Sequence, residues 1–462
     1  PVGFVDDDPN TWGMRVQRLD VIGSSRDLPN IARHVRAQEI ILAIPSAGPN
    51  RLRKVVERCE EAELPFKVVP SMSELLEGQP TVNQLRDVRI EDLLGRAPVE
   101  LELPELAHDL AGESVLITGA AGSIGAELAR QVALHHPGKL VLLDQAETEL
   151  YYLELELRDS HPEVELYPVV GDIVDAAGMD QLFARFAPSR VYHAAAYKHV
   201  PMMETNCREA VRNNVIGTWR IAEAAGRHEV ERFVLVSTDK AVRPANVMGA
   251  TKRVAEMIVT ELQGEHPKTT YSAVRFGNVL GSNGSVIPIF QRQLAAGRPL
   301  TVTHPDATRY FMTIPEAVQL ILQASLLPAI RGQVAMLEMG EPVRIADLAK
   351  NLISLSGAAG RNGKNVIYTG LRQGEKLHEE LIAPDEGTKS TSIPKVRLVV
   401  PFDTVAPRIS GVLADGARAE ADSLVDDVLG TLSGLFPDLR LPDTVEVAPR
   451  PIELSIERGK PA

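Results

Sequence analysis

Along its first 75 positions the chain alternates short apolar runs with stretches of helical spacing. The runs "VGFVDDDP" (2–9), "EIILAIPSA" (39–47) and "FKVVPS" (66–71) read as buried strands, while "LPNIARHVRAQ" and "PNRLRKVVERCEEAEL" repeat their apolar residues every three or four positions. Strand, helix, strand, helix, strand predicts a small parallel α/β unit, here without its first strand and glycine turn. The pattern then breaks. Residues 76–112 are charged and punctuated by prolines and read as a connector. From 113 to about 400 the alternation of apolar runs and helical spacings resumes and is sustained. That predicts an α/β doubly wound parallel sheet with a smaller C-terminal subdomain. The extension 401–462 is rich in Pro, Asp and Ala, with one helical pattern over 415–435.

At 462 residues there is chain enough for two or three domains with cores of their own. The formal charge of −13 and an aromatic content of 4% argue against a nucleic-acid surface. Two cysteines in no metal-binding or disulfide pattern fit a reducing compartment, and no metal site is expected. No apolar run reaches the ~18 residues that span a bilayer. The chain opens without Met on a strand-like run, which reads as an entry in mid-fold.

The strongest chemical signal is "SVLITGAAGSIGAELARQVALHH": a strand, then Gly119, Gly122 and Gly125, then an amphipathic helix. Such glycines allow a tight turn and let backbone N–H groups approach a pyrophosphate at the helix N-terminus. The next strand, "KLVLLD", ends at Asp144, about 20 residues on, where a carboxylate accepts from an adenosine ribose and repels a 2′-phosphate. NAD rather than NADP is the expected cofactor. Asp172 closes a third strand and is either an adenine contact or a helix cap. Ala194, Ala195 and Ala196 place small residues at a fourth strand end.

A fifth strand runs into Thr238, Asp239 and Lys240, followed by a helix carrying Met248 and Lys252. By itself a charged Asp-Lys pair after a strand is an ordinary turn. With "TGAAGSIG", "AAYKHVPMME", "NNVIGT", "STDKAVRPANVMGATKR", "VRFGNVLGSNGSVIPIF", "RYFMTIPEAV" and "GLRQGEKLHEEL" in this order, however, the chain resembles the extended short-chain dehydrogenase/reductases. It is most similar to the nucleotide-sugar 4,6-dehydratases of bacterial polysaccharide and glycoprotein biosynthesis. Met248 stands where that superfamily has Tyr, as it does in the long members of this branch.

The resemblance implies transient oxidation of the sugar at C4 with NAD, removal of the C5 proton, loss of the 6-hydroxyl and return of hydride to C6. It implies Asp239 as general acid and Lys240 as base at C5, the latter needing its pKa lowered by desolvation or a neighbouring cation. Deprotonation of the C4 hydroxyl passes to Thr238, Asp239 or Lys252, and Met248 either packs on the sugar or fills core. Lys252 is expected on the nicotinamide ribose. Ser123, Ile124, Gln145, Ile173, Asn213 and Lys198 complete the expected cofactor set. Lys198, His199, Asn278, Ser285 and Val286 are expected on the substrate, Arg309 and Arg372 on its diphosphate, and Glu375 on its ribose. A UDP-N-acetylhexosamine is the implied substrate. Homo-oligomerisation is also expected, with upstream membrane anchoring at the cytoplasmic face of the bacterial inner membrane. A C4 epimerase and a catalytically silent nucleotide-sensing scaffold are the competing readings.

Overall fold

The computed structural model describes residues 1–44, 49–69, 104–355, 365–400, 421–436 and 439. Residues 76–103 of the connector and most of the extension after residue 400 lie outside them, while the helix Pro104–Leu110 at the end of the connector lies within.

The main sheet has nine strands: β1 Ser114–Thr118, β2 Lys139–Asp144, β3 Leu166–Val170, β4 Arg190–His193, β5 Arg232–Thr238, β6 Thr270–Phe276, β7 Gln333–Leu337, β8 Gly387–Ser390 and β9 Val396–Val400. Their spatial order is β8-β9-β7-β6-β5-β4-β1-β2-β3, with β9 and β8 antiparallel at one edge and the rest parallel. This is a Rossmann-type doubly wound sheet with a smaller C-terminal subdomain. β1, β2 and β4 to β6 are almost entirely buried, as parallel strands covered on both faces must be. That explains why they read as continuous apolar runs rather than alternating ones.

One face is covered by the core that contains Phe233, Leu235, Ile216 and Val254, the other by the core around Val115, Leu128 and Ile321. Three helices matter for the cleft: α1 Ser123–Ala133, α2 Val247–Glu265 and α3 Val286–Ala295. The expected C-terminal helix is present as Ala421–Leu435, and its Val425, Val428 and Leu432 join the first of these cores. Chain order reverses between β1 and β4. At such a switch point the connections leave the strand ends in opposite directions and open a crevice.

The N-terminal unit departs from the expected single sheet. Ile40–Leu42 and Phe66–Val68 pair in parallel, but Phe4–Val5 pairs with Leu19–Gly23, which also forms a hairpin with Arg15–Val16. The hairpin turns through Gln17 and Arg18 at positive φ (49° and 70°), the twist that two-residue hairpins favour. Neither residue is one of the usual turn formers, so nothing in the sequence announced it. Leu28, Leu42, Val56 and Cys59 of this unit share a core with Ile287, Phe290, Leu300 and Leu348. Among the described residues, no helix is long and apolar enough to cross a membrane.

Candidate active site

A cleft of about 720 Å3 opens at the carboxyl ends of β1, β4, β5 and β6. At its first end, β1 turns through Gly119 at φ +68°, where an added Cβ would lie 2.5 Å from the backbone of Ala195. At Gly125 an added Cβ would lie 2.0 Å from the Gly119 carbonyl oxygen. Gly122 is the N-cap of α1, so the first amides of that helix face the cleft with its positive dipole end. The Ser123 hydroxyl accepts from the amide of Asn283, 3.1 Å away, and ties the loop to the opposite wall.

Asp144 stabilises this turn from the next strand. Its carboxylate accepts from the amides of Ala121 and Ala146, each at 2.9 Å. A carboxylate has about four acceptor positions, so capacity remains for a ribose. Asp172 accepts from the Val174 amide at 2.9 Å and thus shapes its own turn. Gln145 reaches the Tyr197 hydroxyl at 3.4 Å. Ile173 differs from expectation: its side chain is in the core against Gly217, because the β3 exit turns its apolar residues inward. Asn213 is likewise buried, donating to Asn214 Oδ1 at 3.0 Å, and does not line the cleft.

Sequence reasoning missed the buried polar chain beneath these residues. His193 Nδ1 lies 2.6 Å from Thr118 Oγ1 and its Nε2 lies 2.9 Å from Thr218 Oγ1, which in turn donates to the Asn214 carbonyl at 2.7 Å. Because Thr218 donates onward, it accepts from His193, whose neutral ring carries its proton on Nε2. Burial holds that imidazole down to about 3. Asn214 lies in a π-helical turn, Arg212–Gly217, and clamps both backbone groups of Tyr197 at 2.8 and 3.0 Å. The chain thus fixes the ends of β1 and β4 on either side of the switch point. The "NNVIGT" motif was its only trace in the sequence.

At the second end, Thr238 caps a short 3-10 turn formed by Asp239–Ala241. The Thr238 hydroxyl donates to Asp239 Oδ1 at 2.9 Å. Lys240 Nζ donates to the same oxygen at 2.8 Å and to Asn278 Oδ1 at 3.2 Å. Asp239 is fully buried, and its Oδ2 has no hydrogen-bond partner among the described residues. Lys240 was expected to have a depressed pKa. The structure reverses this: burial alone would lower it, but the carboxylates facing it, Asp239 first and Glu379 when ionised, raise it. Lys252 moves down, to about 8, through burial, with Glu256 opposing, and burial lowers Lys198 as well. Met248 lines the cleft and also belongs to the core beneath it. Lys198 and His199 stand at the lip, the His199 ring against Gly284.

The segment 370–381, from which Arg372 and Glu375 were expected at the substrate, packs behind Asp239 and Lys240 and lends no residue to the lining of the cleft. Gly374 at φ +72° abuts Asn246, the cap of α2, whose side chain donates to the Gly374 carbonyl at 2.9 Å. Glu375 accepts from Thr303 and from Arg309, both at 2.9 Å. Arg309 also donates to the carbonyls of Thr308 and Leu377. Arg309 and Glu375 therefore satisfy one another and do not line the cleft. Neither does Arg372, which is exposed, nor Val286. Asn278 and Ser285 do line it. The sequence reading also passed over Glu379, whose side chain points into the Asp239–Lys240 neighbourhood at 5% exposure.

Residues 115–401 match the family described as "Polysaccharide biosynthesis protein". The chain is 43% identical over 435 residues to the capsular polysaccharide biosynthesis protein CapD of Staphylococcus aureus, covering 94% of this chain and 70% of that one. It is 33% identical over 288 residues to a UDP-glucose 4-epimerase of Rickettsia canadensis, covering 61% and 81% respectively. Among solved structures, Pen from Bacillus thuringiensis superposes with a TM-score of 0.57 at 30% identity, over 63% of this chain and 90% of that one.

Proposed function

The chain belongs to the polysaccharide biosynthesis protein family, and on that premise we propose that it is an NAD-dependent enzyme that modifies a nucleotide sugar, and specifically a 4,6-dehydratase. The glycine loop, the α1 N-terminus and Asp144 fit the pyrophosphate and adenosine ribose of NAD, the carboxylate disfavouring a 2′-phosphate. When bound, NAD supplies a reversible hydride acceptor for the sugar's C4. Lys252, facing the cleft, orients the nicotinamide ribose.

The observation that carries the dehydratase reading is the Asp239–Lys240 pair, joined by one 2.8 Å hydrogen bond at the end of β5. Elimination of water across C5 and C6 needs a base and an acid side by side, and this pair holds both with a single proton between them. Thr238 and Asn278 fix the two partners in place. A UDP-N-acetylhexosamine is the proposed substrate. The protein is proposed to work as an oligomer at the cytoplasmic face of a bacterial inner membrane, a placement supported by the family's polysaccharide context.

The similarity to the Rickettsia UDP-glucose 4-epimerase supports a second reading, a C4 epimerase. An epimerase returns hydride to C4 and leaves C5–H untouched. Incubation with UDP-N-acetylglucosamine separates the two. A product lighter by one water, with solvent deuterium at C5, is the dehydratase outcome. An isomer of unchanged mass defeats it in favour of the epimerase.

A further inference from the structure

Glu379 presents an imbalance of charge. One of its oxygens is 3.9 Å from Arg309 Nε, while the other, Oε2, is buried with no hydrogen-bond partner among the described residues. The charged groups around it come from three elements: Asp239 and Lys240 after β5, Arg309 on the strand Thr308–Arg309, and Lys376 with Glu375 and Glu380 on its own segment. Lys240 is engaged by Asp239 and Asn278, and Arg309 by Glu375 and two carbonyls. Lys376 donates to the Val242 carbonyl and pairs with Glu380 at 3.5 Å. Asp239, Glu375 and Glu379 thus share Lys240 and Arg309, and Glu379 is the carboxyl left without a hydrogen-bond donor among the described residues. An enclosed carboxylate without donors is strongly disfavoured relative to its acid.

We propose that Glu379 carries a proton at neutral pH and acts as a positioning residue, keeping the Asp239–Lys240 pair free to pass its own proton across. The first half concerns the folded protein alone; the second rests on the dehydratase reading. Moving one proton from Lys240 Nζ to Asp239 Oδ1 breaks an N–H bond and forms an O–H bond with no change in total charge. The amine then has a lone pair for the C5 proton, and the acid has a proton for the departing 6-oxygen. When the C5–H electrons form the C5–C6 double bond and C6–O breaks, water leaves and the pair returns to ammonium and carboxylate. A negative Glu379 would hold the charge on Lys240 and oppose the first move. Burial raises the Glu379 carboxyl above its usual range and the Asp239 charge adds to that, against the opposing pull of Lys240, Arg309 and Lys376.

The test is infrared spectroscopy of protein labelled with carbon-13 at glutamate carboxyls. At pH 7 we expect a protonated-carboxyl band that carries the label, fades as pH is raised, and is lost in Glu379→Gln. The titration of the labelled native protein stands even if the variant fails to fold. No labelled band at pH 7, or one undiminished in folded Glu379→Gln, overturns the proposal. Turnover should fall on the alkaline side in the native enzyme, and Glu379→Gln should lose that limb; an unaltered limb overturns the coupling to Lys240. A protein that never releases water sinks the functional reading but not the proton on Glu379, which the band reports independently.

Discussion

The dinucleotide end of the cleft is assembled from neighbours in the chain, whereas the acid–base end is assembled from strangers. Gly119 to Gly125, Asp144 and Asp172 close successive strands, and each works mainly through backbone: a close approach, a turn, a helix N-terminus. Asp239 and Lys240 meet Asn278, Arg309 and Glu379, which arrive on separate elements and act through charge in a buried space. A backbone device tolerates no added atom but is indifferent to pH. A charge cluster tolerates small changes of shape but depends on every proton. The two ends should therefore fail differently.

The largest effect is expected at the acid–base end. Lys240→Ala should lower turnover by about 10^2 to 10^4-fold, the usual range for loss of a positioned proton-transfer group, while reduction of bound NAD by substrate persists. Absorbance of the reduced nicotinamide in a single turnover, beside product mass, checks this. If NAD reduction vanishes as well, the two ends are not separable.

Glu256→Gln tests the layer below. Glu256 takes a 2.6 Å hydrogen bond from Ser237 and pairs with fully buried Arg275, which also binds Glu386. Removing one partner of such a pair should cost about 3–5 kcal/mol of stability, read from urea unfolding. A loss below ~1 kcal/mol would mean that Glu386 alone satisfies the guanidinium.

At the other end, Gly125→Ala should destabilise by about 1–3 kcal/mol and reduce the NAD that copurifies, because its Cβ meets a carbonyl oxygen and not a movable side chain. Native cofactor content in this variant would show that the loop can shift without consequence.

Acid should separate the ends again, more gently. His193 has a folded pKa of about 3 against an ordinary 6.5, so the unfolded chain takes up that proton first. Its contribution to stability is complete above pH 6.5 and is lost as pH falls toward 3, at no more than about 1.4 kcal/mol per pH unit. Glu256, held at about 2 against 4.5, adds a loss that begins only below pH 4.5. His193→Asn should flatten the urea midpoint between pH 6.5 and 4.5; an unchanged slope there would assign the loss elsewhere.

The smallest change is expected for Met248→Tyr. The site is buried and built around a flexible thioether, so a phenol would need a new hydrogen-bond partner and would crowd the cleft. Turnover should stay level or fall even if hydride transfer quickens. A large rise would mean that deprotonation of the C4 hydroxyl limits the native enzyme.

What the sequence determined by itself follows from locality. Continuous apolar runs marked β1, β2 and β4 to β6 because both faces of a covered parallel strand are buried, and three glycines followed by an acidic strand end marked the dinucleotide loop because all of its parts lie within one βαβ unit. Thr238, Asp239, Lys240 and Lys252 were legible for the same reason, as one strand end and the helix after it. Tertiary structure alone decided the states of these groups. It raised Lys240 where a lowered pKa was expected, because it buries the ammonium against Asp239 and brings up Glu379, when ionised, from a segment far along the chain. It joined Arg309 to Glu375, set His193 between two threonines, and turned Ile173 into the core. Residue type and spacing specify which groups a strand end presents. Their charge depends on burial and on facing neighbours, and those are fixed only when distant segments pack together.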